Sequence, residues 1–188
     1  MGLGLSSIPR DDWKESPLNE RSEPSNARTA CLALRVGENK SVIIYEEFET
    51  KTGGRLDALD LTDEVNDIVR SSGVKNGSVL VYSPHTTCCV LVANGDRRMI
   101  GALEQAMRLL EPEDGYYEHD DFDIRTENLV DDEPQNAPAH LVHVFAGKAS
   151  EVIPVAEGDV ALGEHQRVYF VELCSSRLRR YCIQVIGE

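Results

Sequence analysis

The β-branched, apolar segments of this chain fall in groups on either side of a few helical stretches, without one-for-one alternation of strand and helix. Thr29 to Val36, Ser41 to Phe48, Ser78 to Ser83 and Thr87 to Ala93 read as strands, and Glu151 to Val155, Arg167 to Leu173 and Arg180 to Ile186 read as closing strands. Val, Ile, Leu and Tyr recur in them, the residues that suit a half-buried pleated surface. Parallel neighbours need a long crossover between them, whereas antiparallel neighbours close with a turn. The grouping therefore predicts an α+β fold, with mixed or antiparallel sheets packed sandwich-like beside a few helices.

Local signals sharpen that outline. Gly37-Glu38-Asn39 separates the first two strands as a hairpin turn, and Leu56 to Leu61 is extended. Thr62 is placed to cap a helix with Val65, Ile68 and Val69 on one face, and Gly73 to end it. A longer helix from Asp96 sets Met99, Leu103, Ala106, Met107 and Leu110 along one stripe, so its methionines read as core filler. A short helix from Asn136 to Ala146 carries His140 and His143. Cys88 and Cys89 are adjacent on a strand and must face opposite ways. Residues 1–28, polar and punctuated by Pro9, Pro17 and Pro24, read as a disordered arm, leaving residues 29–188 as a single domain.

Charge excludes some partners. A formal net charge of -14 opposes nucleic acid, whose binding depends on Lys and Arg at phosphates. Much of it lies between Glu111 and Glu133, where Arg125 is the only cation. Most of that stretch reads as a solvated loop, with Asp120, beside His119, set apart. No apolar run approaches the ~20 residues that span a bilayer, so no membrane partner is expected. The 5 cysteines include no Cys-x-x-Cys pair and read as reduced thiols of a cytoplasmic protein.

All 5 histidines lie in the second half of the chain. His85 follows a strand, His119 sits between Glu118 and Asp120, and His140 follows Ala137-Pro138-Ala139. Three neutral imidazoles form a common open metal site, leaving positions for water or a phosphate oxygen. Such a set suits zinc, nickel, copper or iron alike. A histidine that satisfies a core hydrogen bond is the plainer alternative. Thr86 adds a hydroxyl, and Arg177 and Arg179 alternate on one strand face, where two guanidinium forks can converge on phosphate. The same arginines can equally bind the acidic loop. No Gly-rich phosphate loop, Ser-His-Asp order or dinucleotide fingerprint is present.

Taken in order, His85-Thr86-Thr87, Tyr117-Glu118-His119, Ala139-His140, Gly147-Lys148-Ala149-Ser150, Leu162-Gly163-Glu164-His165-Gln166 and Arg177 with Arg179 resemble the YjbQ family, described as secondary thiamine-phosphate synthases. The resemblance runs from about Thr29 to Glu188. It implies a compact α+β fold, a homotrimer, and His85, His119 and His140 gathered around a metal or a phosphate-like anion. The implied reaction joins a pyrimidine diphosphate to a thiazole phosphate, releasing pyrophosphate. A divalent cation is implied with it, zinc-type at the histidines or magnesium with pyrophosphate. Thr86, Gln166, Arg177 and Arg179 would hold the phosphate groups of a phosphorylated small molecule.

Several positions depart from the family pattern. Ala93-Asn94 replaces Asn-Glu, His165 replaces Trp, and Cys174-Ser175-Ser176 replaces Asp-Gly-Pro. Two carboxylates are lost thereby. The stretch from Asp121 to Val130 is also longer than the family's usual link. Two rivals to the synthase follow: a non-catalytic phosphometabolite-binding protein, and a metal-dependent hydrolase in which His165 or Asp120 moves protons.

Overall fold

A computed structural model describes residues 26–36, 41–110, 115–145 and 147–188. Along them run β1 (Ala27–Val36), β2 (Ser41–Lys51), β3 (Ala58–Asp60), α1 (Thr62–Ser72), β4 (Gly77–Tyr82), β5 (Cys88–Asn94) and α2 (Arg97–Leu110). A single 3-10 turn at Glu118–Asp120 precedes α3 (Ala137–Phe145), β6 (Ser150–Ala156), β7 (Asp159–Val160), β8 (Gln166–Glu172) and β9 (Leu178–Gly187). The first strand begins at Ala27, two residues before the expected domain start. Residues 1–25 of the expected arm, and the Gly37-Glu38-Asn39 turn, lie outside the described residues.

The strands form a six-stranded sheet, ordered β1-β2-β9-β4-β6-β7, and a three-stranded sheet, ordered β3-β8-β5. Every ladder within them is antiparallel, although only β1–β2 and β6–β7 join consecutive strands by a short connection. The fold is thus α+β with antiparallel sheets and few helices. One core lies between the sheets, built from Phe48, Val79, Val81, Val90, Phe170 and Ile183, and closed by Val65, Ile68 and Val69 of α1. A second covers the other face of the small sheet, where Val171 and Tyr169 meet Met107 of α2 and Val142 of α3. Cys88 belongs to the first core and Cys89 to the second, as the pleat demands.

Two local expectations change. Thr62 does not cap α1 with its side chain; Asp60 Oδ1 accepts the Thr62 N–H at 2.9 Å. The Thr62 hydroxyl oxygen instead accepts the Val168 N–H at 2.9 Å, tying the helix start to β8. Gly73 ends α1 as expected, at φ 74° with its N–H on Arg70 O. On α2 only part of the methionine stripe is core: Met107 is 2 % exposed and Met99 is 53 % exposed.

The feature that positions the site is the inward row of β9. Val185, Ile183 and Tyr181 point into the core, and the next inward position is Arg179, paired across to Thr50 of β2. The same two-residue period that builds the core therefore carries a guanidinium into its end.

Candidate functional site

An open cleft of about 690 Å³ lies at that end of the sheet. One wall comes from residues 84–87 and the start of β9, the other from the segment between His119 and His140.

The first wall is organised by Glu172, a residue the sequence reading missed. Its carboxylate is fully buried and takes Arg179 side-on, Nε donating to Oε2 at 2.6 Å and Nη2 to Oε1 at 2.7 Å. The Thr52 hydroxyl (3.0 Å), the Cys174 N–H (3.0 Å) and the Cys88 thiol (3.6 Å) donate to the same carboxylate. The second Nη2 proton goes to Thr87 Oγ1 at 3.1 Å. Burial works against the Arg179 charge, yet its pKa is raised overall, because Glu172 sits against it. Among the described residues Nη1 of Arg179 has no partner, and it belongs to the cleft wall. The signal in the sequence was a lone Glu inside Val168-Tyr169-Phe170-Val171-Glu172-Leu173. A carboxylate in so apolar a strand needs a buried cation.

Arg177 lies in the turn before β9, not on the strand, held through its backbone by Thr52: its N–H donates to Thr52 Oγ1 at 3.0 Å. Its guanidinium lines the cleft and pairs with no acid among the described residues. Among the described residues neither Arg177 nor Arg179 is engaged by the acidic loop. Strand β4 stops at Tyr82, just before Pro84, so Arg180 loses the partner strand beyond that point. His85 Nε2 accepts the orphaned Arg180 N–H at 2.9 Å. Burial, and next the Arg179 charge, pull the His85 pKa below its ordinary value. A neutral ring that accepts at Nε2 carries its proton on Nδ1, so His85 offers a donor. Thr86, exposed on the same wall, adds its hydroxyl.

On the opposite wall Glu118, Asp123, Glu127, Asp131 and Asp132 are exposed, as expected of a solvated loop, and Asp120 is half-buried. Asp120 Oδ1 accepts the N–H groups of Asn136 and Ala137, both at 2.9 Å, and so caps α3 from outside the helix. The same oxygen lies 2.9 Å from His119 Nδ1. Arg125 Nη1 also approaches that nitrogen, at 3.3 Å, but it donates more closely to His119 O at 3.0 Å and to Glu133 at 3.1 Å. The shorter, charge-assisted bond decides: Nδ1–H donates to Asp120, and Nε2 keeps its lone pair. The His119 and His140 rings meet at 4.7 Å between centroids. Burial, then His119, holds the His140 pKa below its ordinary value.

The structure thus brings His85, Thr86, His119, His140, Arg177 and Arg179 to one cleft. Gln166 is not among its wall residues. It pairs with Asn94 at the far end of the β5–β8 ladder, where its Oε1 accepts the Gly163 N–H at 2.8 Å. His165 is exposed there too, its carbonyl accepting the Gly95 N–H. As for a metal, His119 Nε2 and His140 fit as a pair with a carboxylate second shell. His85 has its Nε2 lone pair committed to Arg180. Among the described residues no three His, Cys, Asp or Glu groups stand together as a ligand set.

The family model for UPF0047 protein YjbQ-like sequences matches residues 46–188. The chain belongs to that family. The match starts at Glu46, not at Thr29, so β1 and the first half of β2 precede it. A UPF0047 protein of Archaeoglobus fulgidus is 35% identical over 140 residues, covering 74% of this chain and 99% of the relative. The UPF0047 protein YugU of Bacillus subtilis is 29% identical over 145 residues, 77% of this chain and 100% of the relative. Among solved structures, a YbjQ-like protein of unknown function from Sulfolobus solfataricus superposes with a TM-score of 0.68 at 27% identity, covering 79% of this chain and 99% of that one. A hypothetical protein from Aeropyrum pernix gives 0.64 at 32% identity, covering 77% and 98%.

Proposed function

We propose that the cleft binds a phosphorylated small molecule and runs the reaction implied by the family resemblance, formation of thiamine phosphate with release of pyrophosphate. The observation that carries this reading is the first wall: Arg177, Arg179, His85 and Thr86 line one cleft, and among the described residues the Arg177 guanidinium pairs with no acid and Arg179 Nη1 has no partner. In the reaction the thiazole nitrogen attacks the carbon that bears the diphosphate. A C–N bond forms, the C–O bond breaks, and its electron pair leaves on pyrophosphate. Arg177 and Arg179 would stabilise the charge gathering on that leaving group. The attacking nitrogen carries no proton, so neither carboxylate missing at Asn94 and Cys174 is needed as a base in this step. A divalent cation, where bound, would rest on His119 Nε2 and His140 and add positive charge beside the leaving group.

We further propose a cytoplasmic homotrimer. Five unpaired cysteines fit the location, and exposed Leu109, Val144 and Phe145 on α2 and α3 supply apolar surface for the assembly. No helix of the described residues is long and apolar enough to cross a membrane. The net charge of -14 supports the absence of a nucleic-acid partner.

Product analysis tests the reaction. The protein is incubated with the two substrates and magnesium, and thiamine phosphate and pyrophosphate are followed together. Equal amounts of both, lost in Arg177→Ala, are expected. The placing of Gln166 and His165 away from the cleft favours a second reading, a binding protein without turnover. That reading predicts bound, unchanged ligand, whereas release of inorganic phosphate alone would point to a hydrolase.

A further inference from the structure

Asn136 departs from the behaviour its position invites. It stands immediately before α3, where its backbone carbonyl accepts the Ala139 N–H at 2.9 Å. An Asn there ordinarily turns its side-chain oxygen back onto the first helical N–H groups. Here Pro138 has no N–H to offer and the Ala139 N–H goes to the Asn136 carbonyl, while Asp120 accepts from Asn136 and Ala137. The Asn136 side chain is thereby released. The residue is 9 % exposed, it belongs to the cleft wall, and its Oδ1 is buried with no hydrogen-bond partner. A buried acceptor left unmade costs about 1–3 kcal/mol, which a donor arriving with a ligand removes.

The neighbouring groups agree on the sign of that donor. Glu127 and Glu133 stand on the same wall as Asn136, and the one cation there, Arg125, is spent on Glu133 and on the carbonyls of His119, Glu127 and Asn128. The wall therefore has acceptors to offer and no free donor among its charged groups. The facing wall is the reverse, with Arg177, Arg179 Nη1 and His85 Nδ1–H as donors.

We infer that the cleft reads both ends of its ligand: the first wall holds a phosphate, and Asn136 Oδ1 accepts an N–H from an amino or ammonium group at the other end. The inference rests on the phosphate-binding reading above and narrows its substrate class to amino-bearing phosphate esters. It makes Asn136 a specificity residue, and places recognition of the amine on a hydrogen bond rather than on charge alone.

The test is calorimetric titration of the full chain with ω-aminoalkyl phosphates of increasing length. Comparators are the plain alkyl phosphates of equal length, their trimethylammonium counterparts, and inorganic phosphate. At the matching length the amine is expected to bind about tenfold or more tightly than the plain ester, the discrimination of one satisfied buried acceptor. The trimethylammonium compound, with no N–H, should show no such gain. Asn136→Leu should erase the gain of the amine over the plain ester, whereas Asn136→Asp, which keeps the acceptor, should retain it. Equal affinity for amine and plain ester, or an equal gain from trimethylammonium, overturns the inference while the phosphate reading stands. Failure of inorganic phosphate and plain esters to bind at all overturns that reading, and the inference with it.

Discussion

Glu172→Gln is the substitution that most directly probes how the cleft is built. The carboxylate is fully buried, its partner Arg179 has a side chain 7% exposed, and five donor groups from Arg179, Thr52, Cys174 and Cys88 converge on it. Glutamine keeps the shape, removes the charge, and turns an NH2 group toward donors. Arg179 is then a buried cation with no anion. Breaking a buried pair in this way costs about 3–5 kcal/mol. At a urea dependence of about 2 kcal/mol per molar, the unfolding midpoint should fall by roughly 1.5–2.5 M. The assay is urea unfolding followed by circular dichroism, with phosphate affinity measured on the folded protein. Affinity should fall as well, because Arg179 loses one of the two bonds that aim Nη1. Replacing both partners, Glu172→Leu with Arg179→Met, should restore most of the stability without restoring phosphate binding. A midpoint shift below about 0.5 M for Glu172→Gln, with an unchanged urea slope and phosphate affinity, would refute the assignment of Glu172 as the residue that holds Arg179.

Other tests address separate links in the argument. At Gly77 an added Cβ would lie 2.1 Å from Ile186 O and 2.7 Å from Gly187 Cα, both backbone. Gly77→Ala must therefore spread β4 from β9 and should cost about 2–3 kcal/mol in urea unfolding. Asp120→Ala removes the external cap of α3 and the anchor of His119, and should lower stability by about 1–2 kcal/mol by thermal unfolding. Restoration by Asp120→Asn would show that capping geometry rather than charge is what α3 needs. Burial holds the His85, His140 and His143 pKa values below the ordinary 6.5. The native state then takes up protons less readily than the unfolded chain, so their contribution is complete above pH 6.5 and declines as pH falls through that value. Urea midpoints measured down the acidic side of neutrality should drop, and the drop should shrink in a variant with His143 replaced by Gln.

The sequence determined the fold class because periodicity is local. Two-residue alternation in strands and three-to-four spacing in α1 can be read without knowing what they pack against, and Gly73 fixes the helix end by its own backbone freedom. The same locality let Cys88 and Cys89 be assigned to opposite faces. It failed in part at helix α2, where Met107 and Leu103 of the apolar stripe joined the core but Met99 is exposed. It failed again at Thr62, since the competition between Asp60 and Thr62 for one cap depends on β8 offering the Val168 N–H.

The site divides in the same way. Histidine and arginine are conspicuous in a sequence, and those on motifs close to the turn at His85 and to β9 did come together. What no local pattern could supply was the partner of each group. Glu172 holds Arg179 because β8 and β9, from the two different sheets, bring residues facing the same core to one buried point, and a charge there must be paired wherever its partner comes from. Asp120 caps α3 across 16 residues of acidic chain. Gln166, within the same family motif, was carried away by the register of β5 against β8. The sequence by itself pointed to the histidines and arginines that line the cleft. Tertiary structure alone decided which of their atoms remain unsatisfied, because hydrogen bonds are completed by contacts distant along the chain, and only the unsatisfied atoms are left to meet a ligand.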